Sequence, residues 1–185
     1  MTLKKILLLA GFVIPVLGAA WLWWSPAFPG TAPDAAFRFI DGRQVALQDL
    51  RGQPVLVTFW ATTCRICHGE MPELIALHRE LSGWGFEIIA VAMAYDPPDR
   101  VIHVVNERGL PYPVALDIDG KIAGAFGGVS ATPASFLIAP DGSIVKQKTG
   151  ETDMTALRRQ IMEYITQPVE VESKKEKAST DKTGA

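Results

Sequence analysis

Hydrophobic positions fall into three regimes along the chain. Positions 6–24 are uncharged and almost wholly apolar, a run of 19 preceded by Lys4 and Lys5, with no acidic residue until Asp34. As a helix rising ~1.5 Å per residue the run reaches about 28 Å, close to the ~30 Å hydrocarbon thickness of a bilayer. It predicts a membrane anchor over residues 1–25. Lys4 and Lys5 stay on the cytoplasmic side and Trp21, Trp23 and Trp24 lie in the far headgroup layer, so the rest of the chain faces the periplasm or an equivalent extracytoplasmic space. The alternative is a signal peptide cleaved near the small residues Gly18, Ala19 and Ala20, which leaves a soluble exported domain. Residues 26–33 are rich in proline and small side chains and predict an extended tether. Residues 168–185 carry four lysines against four acidic residues with little apolar content and predict a disordered charged tail.

Between these ends, 34–167, strand-like and helix-like periods alternate. Segments 37–40 and 43–47 flank Asp41 and Gly42, a hairpin signal. The continuous apolar run 55–60 reads as a strand buried on both faces. Helical spacing of Met71, Leu74, Ile75, Leu77, His78 and Leu81 predicts a helix over 64–81, with Pro72 inside it as a source of a kink. A strand over 86–94, a helix over 99–108 and a short strand over 114–116 complete a βαβαβ order. Strands over 134–138 and 144–149 flank Pro140, Asp141 and Gly142 as a second hairpin, and 154–165 closes as an amphipathic helix. The expected class is therefore α/β, with parallel strands first, an antiparallel pair last, and helices covering a mixed sheet. No internal repeat is visible.

Composition adds exclusions. A net charge of -2 in 185 residues offers no broad basic surface, so nucleic acid is not an expected partner. The chain has two cysteines, and they stand three apart, as Cys64 and Cys67, just after the buried strand. On a helix such residues share a face, so the two sulfurs can close a small disulfide ring and store two electrons. Cys64, at the helix start, meets unpaired backbone N–H groups and the positive end of the helix dipole, both of which favour thiolate. It is the expected nucleophile, and Cys67 the residue that resolves the mixed disulfide. Arg65 either adds to thiolate stability or is a solvated surface charge. Glu70, three residues after Cys67, falls beside that sulfur and is a candidate acceptor for its proton, set against the commoner fate of an exposed helix carboxylate.

Other chemistries compete for the same residues. Cys64, Cys67 and His68 also match the c-type haem attachment spacing, but a haem bound there would break the packing of a strand–helix junction. Zinc would need a second ligand pair, and His78 and His103 fall on other expected surfaces. A peroxidase of the Pro-x-x-x-Thr-x-x-Cys kind would carry threonine where this chain has Ala61. A non-catalytic thiol adaptor remains as the non-enzyme alternative. No cofactor or metal is expected.

Thr58-Phe59-Trp60-Ala61-Thr62-Thr63-Cys64-Arg65-Ile66-Cys67, then Glu70-Met71-Pro72, then Thr132-Pro133-Ala134-Ser135-Phe136 with Asp141-Gly142, resembles the membrane-anchored TlpA/ResA/CcmG group of the thioredoxin fold over roughly residues 34–167. The resemblance implies a three-layer thioredoxin-like fold with an N-terminal hairpin and an extra βα insert. It further implies a protein-disulfide reductase acting on an exported client such as apocytochrome c, with electrons from a membrane thiol transducer. It supports the Glu70 role and implies a cis bond between Thr132 and Pro133, which with Trp60 would form the client-binding surface. Thr63, the Arg65-Ile66 dipeptide and Thr58, which stands where many thioredoxins bury a carboxylate, depart from the group and leave the redox potential unread.

Overall fold

The computed structural model describes residues 30–166. The expected anchor, the first half of the tether and the charged tail lie outside the described residues. Among those described, no helix is long and apolar enough to cross a membrane.

Ala36–Arg38 (β1) and Gln44–Ala46 (β2) form a separate antiparallel hairpin. Val55–Trp60 (β3), Glu87–Ala92 (β4), Val114–Leu116 (β5), Ala134–Ile138 (β6) and Ile144–Thr149 (β7) build one sheet in the order β5-β4-β3-β6-β7. The first three of these strands run parallel, β6 runs antiparallel to β3, and β7 antiparallel to β6. The helices are Arg65–Leu81 (α1), Pro98–Arg108 (α2), Lys121–Ala125 (α3) and Met154–Thr166 (α4). This is the mixed sheet that the sequence pattern predicts, in the thioredoxin-like arrangement that the resemblance implies.

The central strand shows why the sequence folds in layers. All six residues of β3 are buried, and alternate side chains enter two separate cores. Leu56 and Trp60 pack with Met71, Leu74 and Leu77 of α1, Val101 of α2, and Leu157 and Ile161 of α4. Val55, Val57 and Phe59 face the other way, toward Phe37 and Phe39 of the hairpin region, Ile122 of α3, Phe126 and Phe136. Burying each such side chain contributes ~1.5–3 kcal/mol, so the two clusters fix which face α1 occupies. Phe39 bridges to Ala115, and the Ile40 N–H donates to the Val114 carbonyl at 2.9 Å, so the end of the hairpin covers the open edge of β5.

α1 is continuous across Pro72, which is exposed. One local feature differs from the sequence expectation. α3 has no counterpart in the apolar pattern because five residues of Lys-Ile-Ala-Gly-Ala show too little periodicity. It is started from outside: buried Asp117 accepts from the N–H groups of Ile122 at 2.9 Å and Ala123 at 2.8 Å. Gly120, at φ 69°, makes the turn between them.

Because β3, β4 and β5 are parallel, their carboxyl ends at Trp60, Ala92 and Leu116 share one edge of the sheet. β6 begins at that edge and β7 ends there, with Ala134 opposite Thr149. The loops carrying Cys64, Tyr95, Ile118, Pro133 and Thr152 are therefore gathered at one end of the domain.

Candidate active site

The turn between β3 and α1 is held by Thr62, all of whose polar groups are engaged. Its N–H donates to Asp96 Oδ2 at 2.6 Å and its hydroxyl to Asp96 Oδ1 at 2.5 Å. Its carbonyl accepts from His68 Nε2 at 2.8 Å, which places the ring hydrogen on that nitrogen. Asp96 itself is buried in the loop after β4, and the N–H of Met93, where that loop begins, donates to the Trp60 carbonyl at 3.1 Å. Two loops distant in sequence thus brace one turn. Nothing in the periodicity around Asp96 marks it, since its acceptor role depends on a residue 34 positions away.

Past that turn Cys64 takes the N-cap position of α1, with extended backbone (φ -82°, ψ 101°), and its sulfur accepts from the Cys67 N–H at 3.2 Å. The two cysteines are joined in a disulfide with Cα atoms 5.3 Å apart. Cys64 is half-buried while Cys67 is 3% exposed, so an incoming sulfur meets Cys64 first. The first-turn amides and the helix dipole stabilise negative charge at that sulfur once the bond opens. Arg65 is exposed on the first turn.

Below Cys67 the helix and sheet enclose a small cavity lined by Thr58, Trp60, Cys67, Glu70, Tyr112 and Pro133, among others. Glu70 is 6% exposed, not the solvated helix carboxylate of the bland reading, and its Oε1 accepts from the Thr152 N–H at 2.6 Å. Burial pushes the Glu70 carboxyl above its ordinary value; the Thr152 amide opposes this, and the neighbouring carboxylates of Glu151 and Glu73 reinforce it. Tyr112, buried in the same wall, is likewise pushed up by desolvation and stays a neutral phenol. Thr58 fills the place of a buried carboxylate with a hydroxyl paired to the Ser135 hydroxyl at 3.0 Å. Among the described residues, Glu70 is therefore the one carboxylate lining this cavity.

The Thr132–Pro133 peptide bond is cis. Pro133 is buried against the cavity, Thr132 is half-buried, and the Pro133 carbonyl accepts from the Gly150 N–H at 2.8 Å. The loop 150–152 thereby ties the proline to Glu70. Trp60, expected with Thr132 and Pro133 at the client-binding surface, is 3% exposed and lines the cavity from inside. Its position as the last residue of the central strand, packed under α1, explains the burial. His78 and His103 lie on α1 and α2, and His78 Nε2 is within hydrogen-bonding distance of Glu87 Oε1 at 3.3 Å.

The comparisons with known proteins point to the same chemistry. Residues 30–147 match the family model described as the AhpC/TSA family. Thiol-disulfide oxidoreductase ResA of Bacillus thuringiensis is 40% identical over 120 residues, covering 65% of this chain and 68% of that protein. ResA of Bacillus subtilis is 34% identical over 119 residues, covering 64% and 65%. Among solved structures, a putative thiol:disulfide interchange protein DsbE from Chlorobium tepidum superposes with a TM-score of 0.69 at 28% identity, over 76% of this chain and 99% of that one. A putative thioredoxin from Neisseria meningitidis gives a TM-score of 0.67 at 34% identity, over 72% and 88%. A joined Cys64–Cys67 pair at a helix N-terminus, on this sheet and with these relatives, makes the chain a member of the AhpC/TSA family, among its thioredoxin-like thiol–disulfide oxidoreductases of the ResA kind.

Proposed function

We propose that this oxidoreductase works as a reductase of disulfides in exported client proteins, apocytochrome c being the client class its relatives suggest. In this reading residues 1–25 anchor it, 26–33 tether the domain beyond the membrane, and a membrane thiol transducer recharges it. The reduced protein attacks through the Cys64 thiolate, which bonds to one client sulfur and releases the other as a thiolate. Cys67 then loses its proton, attacks the Cys64 sulfur and expels the client sulfur bonded to it as the second thiolate. The client leaves with two thiols and the protein with the Cys64–Cys67 disulfide, so two electrons have moved. Thr132 and Pro133 border the site at which the client strand lies.

The observation that carries this reading is the asymmetry of the pair: a half-exposed sulfur at a helix N-terminus, and a buried one sharing a cavity with a buried carboxylate. Glu70, held with a raised proton affinity, is matched to accept the Cys67 proton when the mixed disulfide is resolved. Incubating the reduced protein with apocytochrome c oxidised at its paired cysteines tests the function. Client thiols should appear in step with loss of the protein's own; no transfer would refute it.

Glu70→Gln separates the acid's role from its packing, since Gln still offers an oxygen to the Thr152 amide but cannot ionise. Removing a positioned base typically costs ~10²-fold or more, so resolution should slow by about 100-fold at neutral pH and recover as Cys67 ionises unaided at higher pH. An unchanged pH profile removes Glu70 from the mechanism. The same substitution has a stability signature. A folded-state pKa above the unfolded value means the folded chain holds the proton longer, so Glu70's own contribution to stability is greatest below the ordinary carboxylate range and declines as pH rises through the raised value, a slope read as the difference between parent and variant. Urea unfolding of the oxidised protein should show that decline in the parent and not in Glu70→Gln.

A further inference from the structure

Five large apolar side chains stand exposed among the described residues: Ile66, Trp84, Tyr95, Ile102 and Ile118. Three of them belong to the disulfide's end of the sheet. Ile66, 48% exposed, lies between the cysteines, Tyr95, 61% exposed, follows the carboxyl end of β4, and Ile118 follows that of β5. Tyr95 stands apart in how it is held. The Asp96 N–H donates to the Met93 carbonyl at 2.9 Å, closing a tight turn with Tyr95 inside it, and Pro97 and Pro98 stiffen the exit. That turn is fastened to the catalytic one at both ends, through the Met93 N–H to the Trp60 carbonyl and through the Asp96 carboxylate to Thr62, two residues before the nucleophile.

From this we propose that Tyr95 is a client-binding residue that, with Ile66, grips an apolar side chain flanking the client's cysteine. The proposal rests on the disulfide-exchange function argued above and adds what that function lacks, a source of preference among disulfides. An aromatic ring on an immobilised turn offers contact area at little cost in conformational entropy, which is why such residues serve as anchors in recognition surfaces. Its turn is hydrogen-bonded to the Cys64 turn, which puts the ring at the same end of the sheet as the reactive sulfur, where a client presenting its disulfide docks. The occupant is an extended, cysteine-bearing segment with a branched aliphatic or aromatic residue next to the reactive sulfur.

Two synthetic peptides with the same intramolecular Cys-x-x-Cys disulfide, one flanked by leucines and one by serines, test it with the full-length reduced protein. The parent should reduce the leucine peptide with a KM about 5–10-fold lower than the serine peptide and a similar kcat. Tyr95→Ala should erase that preference by raising KM for the leucine peptide alone, and Tyr95→Phe should keep it. Absence of preference in the parent, retention of it in Tyr95→Ala, or equal losses on both peptides would overturn the proposal, the last by marking a disturbed Cys64 turn. If the parent reduces neither peptide, the oxidoreductase reading fails and carries this inference with it.

Discussion

Cys67→Ser protein isolated from cells after thiol blocking should carry clients covalently attached through Cys64, whereas Cys64→Ser should carry none. The expectation follows from the burial asymmetry. Cys64 is the sulfur an outside disulfide can meet, and the Cys67 amide points at it from 3.2 Å, so the first exchange proceeds without Cys67. What Cys67→Ser loses is the second displacement, and the intermediate accumulates because serine cannot replace a thiolate in disulfide exchange. Both variants should lose steady turnover entirely, since each step needs its own sulfur. Mass spectrometry of the adducts also names the client. Adducts on Cys64→Ser in comparable yield would reverse the assignment of nucleophile and resolving residue.

The second large effect lies in the support under the site. Phe59→Ala should destabilise the oxidised domain by ~3–5 kcal/mol, the usual cost of removing a buried phenylalanine. Phe59 is fully buried on β3, with ring centroids 5.4 Å from Phe126 and 5.8 Å from Phe136 in edge-on contacts. The ring centroids of Phe126 and Phe136 are 4.9 Å apart, so the three rings form one mutually packed cluster whose interior a truncation would leave partly empty. The cluster is on the face opposite α1 and makes no contact with the disulfide cavity. Disulfide exchange by the fraction that remains folded should therefore be close to that of the parent. Urea unfolding measures the first quantity and exchange in the absence of denaturant the second; a loss under 1 kcal/mol would mean that the cluster does not hold this layer together.

The chemistry was legible because it is local. Cys64, Cys67 and Glu70 are set three apart, and helical geometry alone puts them on one face of α1. The strands were legible where the alternation or the unbroken apolar run was long, as in β3. What could not be read arises from contacts across the chain. Asp96 matters because it meets Thr62, 34 positions earlier, and the burial of Glu70 is completed by Thr152, 82 positions later. No period in the sequence encodes either meeting. The burial of Trp60 likewise comes from the closing of α1 over the strand end. α3 escaped notice because its stability comes from Asp117 and not from its own five residues.

The central claim is that Cys64 and Cys67 form one reversible two-electron couple. Equilibrating the protein against a graded series of reduced and oxidised glutathione, quenching with acid and counting alkylated thiols by mass tests it directly. The account predicts a single transition in which zero and two free thiols interconvert, with a tenfold change in the equilibrium constant for every ~30 mV. A protein whose two sulfurs stay locked, or open one at a time, across the whole series would contradict it.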